Sequence, residues 1–291
     1  MYYTHMSILV TGATGTVGTH VVRLLLRAGM AVRAAARNRS AIEAAFGDAV
    51  QPVTLDFTDP LTWGATYNGV RTMFLLRPPQ LARPSRQLIP SLEYARAAGV
   101  AHIVLLSLQG AERNRLVPHF ALERWLRGSG LSWTFVRASF FMQNLTTVHA
   151  SDIRDRSSIM VPAGGGATAF VDAHDVAAVA VAAMLDPGGH RNRAWTPTGP
   201  QALTYTEVAA TLSRVLGRRI EYQRPGVLAY ARHAHRSMPA AMVLVTSAIY
   251  AAARLGQAGH LTDDVRTILR RPPVSFAEFA DRERAAWTPT C

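Results

Sequence analysis

The residues Thr11-Gly12-Ala13-Thr14-Gly15-Thr16-Val17-Gly18 stand between the apolar run Ile8-Leu9-Val10 and a helix-like stretch over 19–28. A strand, a glycine turn and a helix start in that order constrain the fold more than anything else in the chain. Glycine lets backbone turn tightly and approach a bound group closely. The helix start then presents unpaired N–H groups and a partial positive charge to an anion. At the first strand-to-helix junction, this arrangement points to a dinucleotide pyrophosphate held by Gly12, Thr14, Gly15, Thr16, Val17 and Gly18.

Short apolar runs then alternate with helical patterns, as in an α/β Rossmann fold, a doubly wound parallel sheet with helices on both faces. Strands are expected at 7–10, 31–36, 51–54, 72–76, 102–107 and 132–137, and helices at 17–28, 40–46, 85–98 and 117–128. Leu88, Leu92, Ala95 and Ala98 share one helical face suited to packing on a sheet. Gly99 and Gly130 read as helix ends. After Asn144 the pattern changes: Gly164-Gly165-Gly166 precedes Phe170-Val171-Asp172 and a very apolar helix over 175–185, with Asp172 or Asp175 as its N-cap. A strand-like stretch at 193–197, helices at 206–216 and 238–255, and a last helix from Ser275 complete the chain. The expected organisation is a nucleotide-binding domain over 1–150, with 170–190 returning to it. A smaller C-terminal α/β lobe over 190–291 is expected to cover the substrate.

With 291 residues, 49% of them hydrophobic, the chain can bury a large core with an appended lobe. Its single cysteine, Cys291, excludes a disulfide framework and a cysteine metal site, and no metal is expected. The start, Met1-Tyr2-Tyr3-Thr4-His5, lacks the features of a signal peptide, and Met6 is an alternative start. The longest apolar stretch, 238–253, is interrupted by Pro239, Thr246 and Ser247 and is shorter than the roughly 20 residues a bilayer span needs. The expectation is a soluble, cytoplasmic protein with no membrane partner.

The formal charge of +12 rests on arginine alone, because the chain contains no lysine. The arginines are scattered, and the denser groups (Arg33, Arg37, Arg39; Arg214, Arg218, Arg219) have no interleaved aromatic platform. No nucleic-acid partner is expected. The missing lysine also excludes a lysine Schiff base, a phosphate-loop lysine and a tyrosine–lysine dyad.

An NAD-selective site usually carries a carboxylate at the end of the second strand. Here that strand ends Ala36-Arg37-Asn38-Arg39. Guanidinium matches phosphate in a bidentate, charge-assisted geometry. The expected cofactor is therefore NADP(H), with Arg37 on the adenosine 2′-phosphate and Arg33 the weaker candidate. A solvated arginine pair is the bland alternative. Asp56 and Phe57 follow the third strand; the carboxylate could take the adenine amino group beside the ring, or simply cap the turn at Thr58.

The TGATGTVG start resembles the short-chain dehydrogenase/reductase superfamily in its atypical branches. Further segments are similar to the NmrA-like group. They are Leu75-Leu76-Arg77-Pro78-Pro79, Leu105-Leu106-Ser107, His119-x-x-x-Glu123, Ser129 to Thr134, Arg137-x-x-Phe140-Phe141-Met142-Gln143-Asn144, Phe170-Val171-Asp172-x-x-Asp175 and the terminal Arg271-Pro272-Pro273-x-Ser275-Phe276. The resemblance implies that Leu76, Arg77 and Pro78 lie beside the cofactor. It also implies an NAD(P)H-dependent quinone oxidoreductase or azoreductase-like protein, or a redox-sensing regulator that binds the dinucleotide without turning it over. The chain departs from the wider superfamily where Tyr-x-x-x-Lys is usual: it reads His119-Phe120-Ala121-Leu122-Glu123. Tyr94, inside an earlier helix, is a poor substitute. Standard alcohol dehydrogenation is disfavoured.

Reduction of a quinone, an enone or another conjugated acceptor gives a delocalised oxyanion and needs less acid assistance. His119, whose imidazole ordinarily titrates near neutrality, is the candidate oxyanion donor or proton source, or else a helix-surface histidine. Ser107, at the carboxyl end of the fifth strand, could donate one hydrogen bond to the acceptor. Glu123 could orient His119 or pair with Arg127. Phe140, Phe141, Met142 and Asn144 could wall the nicotinamide, or they could be plain core packing, a reading as good as the other for Phe141. The apolar helix over 238–255 could cover an aromatic substrate or form a homodimer face. A non-redox isomerase or cyclase on the same fold is the third reading.

Overall fold

The computed structural model describes residues 7–288, so the choice between Met1 and Met6, and Cys291, lie outside the described residues. The first six strands are β1 (Ile8–Thr11), β2 (Val32–Ala36), β3 (Gln51–Thr54), β4 (Thr72–Leu76), β5 (His102–Leu108) and β6 (Ser132–Ala138). With Arg193–Trp195 they form a seven-stranded sheet in the spatial order Arg193–Trp195, β6, β5, β4, β1, β2, β3. Every neighbouring pair is parallel. This is the expected Rossmann sheet, and its order reverses between β1 and β4, the switch point at which such sheets bind ligands beyond their carboxyl ends.

Alternation along the strands explains the two buried faces. Leu9, Ala35, Met73, Leu75, Ile103, Leu105 and Phe135 project to one side, against Tyr67, Leu88, Leu92, Ala95, Leu122 and Leu126 from the helices there. Helix α1 (Thr16–Arg27) and the helix Ala173–Leu185 pack on each other and on the sheet. Ala173–Leu185 is apolar on nearly all sides and buried on nearly all of them, as a helix of that composition must be. The helix expected over 85–98 is two, Pro84–Gln87 and Ile89–Ala97. Pro90 lacks the N–H a continuous helix would need there.

The chain divides into two compact units, 1–138 with 173–197 and 267–270, and 139–172 with 198–266 and 271–291. The chain thus leaves the first unit at Ala138 rather than at 150, and 193–197, expected in the smaller lobe, belongs to the first unit as its last strand.

The second unit holds a three-stranded sheet, Ala202–Thr204, Ala167–Val171 and Phe140–Phe141, and the strand pair Ser158–Ile159 with Glu221–Tyr222. Two capping boxes start its helices: Thr204 with Glu207 ahead of Tyr205–Leu216, and Ser275 with Glu278 ahead of Phe276–Arg282. Each box pairs two otherwise orphaned amides. Phe170, Tyr205, Tyr230, Phe279 and Trp287 are almost fully buried in the core of this unit. Arg218 fastens its chain segments, donating to the carbonyls of Ile153, Arg154 and Trp287 and to the Ser157 hydroxyl. Among the described residues no helix is long and apolar enough to cross a membrane.

Candidate functional site

The turn after β1 is built by its glycines. Gly12 adopts φ of +61° against Leu76, and its carbonyl accepts the Gly15 amide at 2.9 Å. A Cβ on Gly18 would lie 2.0 Å from the Gly12 carbonyl oxygen, so no other residue fits without opening the loop. Gly15 is the N-cap of α1 and brings no side-chain cap, and the first turn carries no acidic residue. The leading amides of α1 are therefore left for a bound anion. Thr14 and Thr16 are exposed at this mouth, while Val17 and Gly18 are buried beneath it. Thr11 braces the turn, donating to the Phe74 carbonyl and accepting from the Leu76 amide. That pairing joins β1 to the end of β4, across the switch point.

At the end of β2 the structure separates three arginines that look alike in sequence. Arg33 donates to Gln51 Oε1 at 2.9 Å and to the carbonyls of Thr66 and Asn68 at 2.9 and 2.7 Å. It stitches β2 to the adjoining turn and is not available as the weaker phosphate candidate. Arg39 pairs with Glu43 at 2.8 Å. Arg37 is exposed and has no ion-pair partner among the described residues.

Asp56 Oδ1 accepts from the Thr58 hydroxyl and amide at 2.7 and 2.8 Å. Those two bonds hold its carboxyl below the usual range, with the Arg37 charge adding to them. Asp56 is thus a turn-capping residue that stands near Arg37. Phe57 is buried in the core with Leu55 and Tyr67, so its ring does not flank a base, contrary to expectation.

Arg77 donates through Nη1 to the carbonyls of Pro78, Pro79 and Leu81, folding the loop after β4 onto itself. Its Nε is buried and has no hydrogen-bond partner. His119, in the first turn of Pro118–Gly128, is also buried, with Nδ1 unpartnered. Burial, and secondarily the Arg77 charge, push its pKa down to about 3. The imidazole is neutral at physiological pH. It can donate an N–H but does not titrate near neutrality, which corrects the expectation of a near-neutral proton source.

Ser107 is fully buried, and its hydroxyl donates to Glu123 Oε1 at 2.7 Å. The same carboxylate accepts from Arg137 Nε at 3.0 Å and Nη2 at 2.6 Å, with Arg127 Nη2 farther off at 3.4 Å. Arg137 also meets Glu112 at 3.2 Å. The serine proton is therefore committed inside the protein rather than offered to an acceptor. Glu123 neither orients His119 nor pairs mainly with Arg127. The Glu123–Arg137 pair, from a helix and the end of β6, escaped the sequence reading because no periodic signal links those two positions.

In the second unit, Phe140 stands edge-on to Phe170 at 5.6 Å and tilted to Tyr250 at 5.9 Å. Phe141 pairs in register with Val171, and Met142 is buried. The Asn144 carbonyl accepts the His149 amide, and its side-chain amide makes no hydrogen bond among the described residues. Gln143 donates to Asp172 Oδ1 at 2.8 Å, and Arg282 reaches Asp172 Oδ2 at 2.7 Å. The buried Asp172 is thereby an anchor for two segments of this unit. Its spacing in the sequence marks it only as a helix cap.

These residues fit a dinucleotide. The Gly12–Gly18 contact clears the space, the start of α1 offers amides, and Arg77 carries a buried, unpaired donor.

Comparison with known proteins agrees with this geometry. The chain is 37% identical to the NAD(P)H azoreductase of Xenophilus azovorans, over 96% of this chain and 99% of that protein. It is 35% identical to the (4-alkanoyl-5-oxo-2,5-dihydrofuran-3-yl)methyl phosphate reductase of Streptomyces griseus, over 97% of this chain and 99% of that one. Its fold matches the NADPH-dependent quinone oxidoreductase of Escherichia coli solved with NADPH, with a TM-score of 0.84 at 23% identity, over 94% of this chain and 99% of that one. Residues 4–251 match the NmrA-like family, and the chain belongs to that family.

Proposed function

We propose that this chain is an NADPH-dependent oxidoreductase acting on a conjugated small molecule of the quinone, enone or azo type. The observation that carries the reading is the cradle after β1, where Gly18 lies so close to the Gly12 carbonyl that no side chain fits between them. Full-length relatives that are reductases support it. A bound nicotinamide supplies a hydride.

The chain's own residues bind and orient. Gly12, Thr14, Gly15, Thr16, Val17 and Gly18 hold the pyrophosphate on the start of α1. Arg37, the one unengaged guanidinium of its group, takes the 2′-phosphate. Leu76, Arg77 and Pro78 line the coenzyme after β4, and Phe140 and Asn144 are the nicotinamide contacts.

His119 donates a neutral N–H to the oxyanion that forms as a carbonyl acceptor takes the hydride. A neutral donor suffices because conjugation spreads the charge, and water then delivers the proton that completes reduction. Holding the acceptor about 3–3.5 Å from the hydride donor is the larger share of the catalysis.

Purified protein mixed with NADPH and a panel of menadione, a benzoquinone, an enone and an azo dye is expected to oxidise the coenzyme with at least one acceptor. NADPH binding with no turnover across the panel overturns the reading and favours a dinucleotide-sensing protein instead.

A further inference from the structure

The second unit contains a cavity of about 100 Å³ that none of the roles above uses. Its polar lining comes from the helix Ala150–Arg156, with His149 just before it, from the helix Val227–Ala234, and from Arg236 and Ser237 just after that helix. Val148, Met160 and Met238 supply apolar wall. Asp152 is buried, with both oxygens engaged: Oδ2 meets His233 Nε2 at 2.7 Å and Oδ1 meets Arg156 at 3.4 Å. His149, almost fully buried, directs Nε2 at the Tyr250 hydroxyl, 2.6 Å away. Arg236 lines the cavity too, exposed and with no ion-pair partner among the described residues. The one carboxylate is thus already matched by two groups, and a second guanidinium is left over.

We propose that this cavity binds the anionic arm of a small organic acid, its charge on Arg236 and its hydrocarbon part against Val148, Met160 and Met238. The volume sets the size, being below the ~150 Å³ that takes a benzene ring. A short carboxylate fits; an aryl ring does not enter whole. A cation is disfavoured because Asp152 already faces His233 and Arg156, and no group of His, Asp and Glu among the described residues is arranged to hold a metal ion.

The test uses the full chain without coenzyme, so that it stands apart from the redox reading. Acetate, propionate, benzoate and uncharged acetamide are titrated while the histidine side-chain resonances are followed by NMR, with His149 and His233 assigned by single substitution. Acetate and propionate are expected to shift both histidines saturably, with acetamide and benzoate about tenfold weaker or silent. Arg236→Ala is expected to weaken acetate about tenfold with the spectrum otherwise unchanged, since Arg236 is exposed and unpaired. Absence of a saturable shift, or an acetate affinity unaltered by Arg236→Ala, overturns the proposal.

Turnover then separates two sources of the acid. If the arm belongs to the acceptor, a quinone carrying a short carboxyalkyl chain has a lower KM than its neutral parent, acetate competes with it, and Arg236→Ala erases the difference. If the acid is a separate effector, acetate changes kcat for the neutral quinone and does not compete.

Discussion

Glu123 grips Arg137 through two hydrogen bonds, Oε1 to Nε at 3.0 Å and Oε2 to Nη2 at 2.6 Å, and neither side chain is more than slightly exposed. Removing one partner strands the other as an uncompensated buried charge. Glu123→Ala is expected to cost about 3–5 kcal/mol in urea unfolding, the usual consequence of breaking such a pair. Ser107→Ala removes only a satellite hydrogen bond and is expected to cost about 1 kcal/mol. Its kcat/KM should stay within about threefold of the parent, against the hundredfold or more that loss of a proton-transfer group causes. A hundredfold loss at Ser107 with the fold intact would restore that residue to the chemistry.

Arg37 is expected to set coenzyme choice. Arg37→Ala should lower kcat/KM for NADPH roughly ten- to a hundredfold, mostly through KM, and leave NADH little changed, which is the range of one or two charged hydrogen bonds. Arg33→Ala is the control: it breaks the bonds to Gln51, Thr66 and Asn68 and lowers stability without altering the coenzyme ratio. Steady-state kinetics with both coenzymes checks the pair. An unchanged ratio in Arg37→Ala removes Arg37 from the site.

The cradle itself makes a steric prediction. In Gly18→Ala the new Cβ meets the Gly12 carbonyl carbon at 2.8 Å as well as its oxygen, so the turn must open. NADPH binding measured by calorimetry is expected to weaken by at least about tenfold. Gly15→Ala meets only the Gly12 oxygen, at 3.3 Å, and should be milder. Equal losses in the two variants would point to a general loosening of the loop.

Three histidines make the fold sensitive to acid. Burial lowers His102 to about 4, His119 to about 3 and His149 to about 4. Between about pH 6.5 and 4 the unfolded chain binds protons that the folded chain does not, so stability rises with pH through that window and is complete above it. Each histidine contributes at most about 1.4 kcal/mol per pH unit there. The urea midpoint is expected to fall clearly from pH 7 to pH 5, and less so in His102→Gln. Because His119 stays neutral, log kcat/KM should show no inflection between about pH 5.5 and 8.5 from that residue. A step near pH 6.5 that disappears in His119→Gln contradicts its neutral role.

Much of the first unit could be read before folding because its strands are short apolar runs flanked by glycine or proline, and Leu88, Leu92 and Ala95 fall on the buried face their spacing indicated. Arg193–Trp195 could be read as a strand but not placed: three residues with two exposed side chains carry no signal of the β6 strand they join. The same division holds in the site. The glycine turn is local chemistry and is visible in one line of sequence. The choice of Arg37 over Arg33 depends on Thr66 and Asn68, and the fate of Ser107 depends on Glu123, which are tertiary facts. Phe57 was misread for the same reason, since an aromatic after a strand looks alike whether it faces a ligand or the core.

The two units cannot be had separately by a single cut. The chain passes from one to the other after Ala138, Asp172, Pro197, Arg266 and Arg270. A fragment ending at 150 would lack the helix Ala173–Leu185 and the strand Arg193–Trp195, baring to water the part of its sheet that this helix covers, over β4, β5 and β6. Neither half is therefore a portable module that one cut could move into another chain.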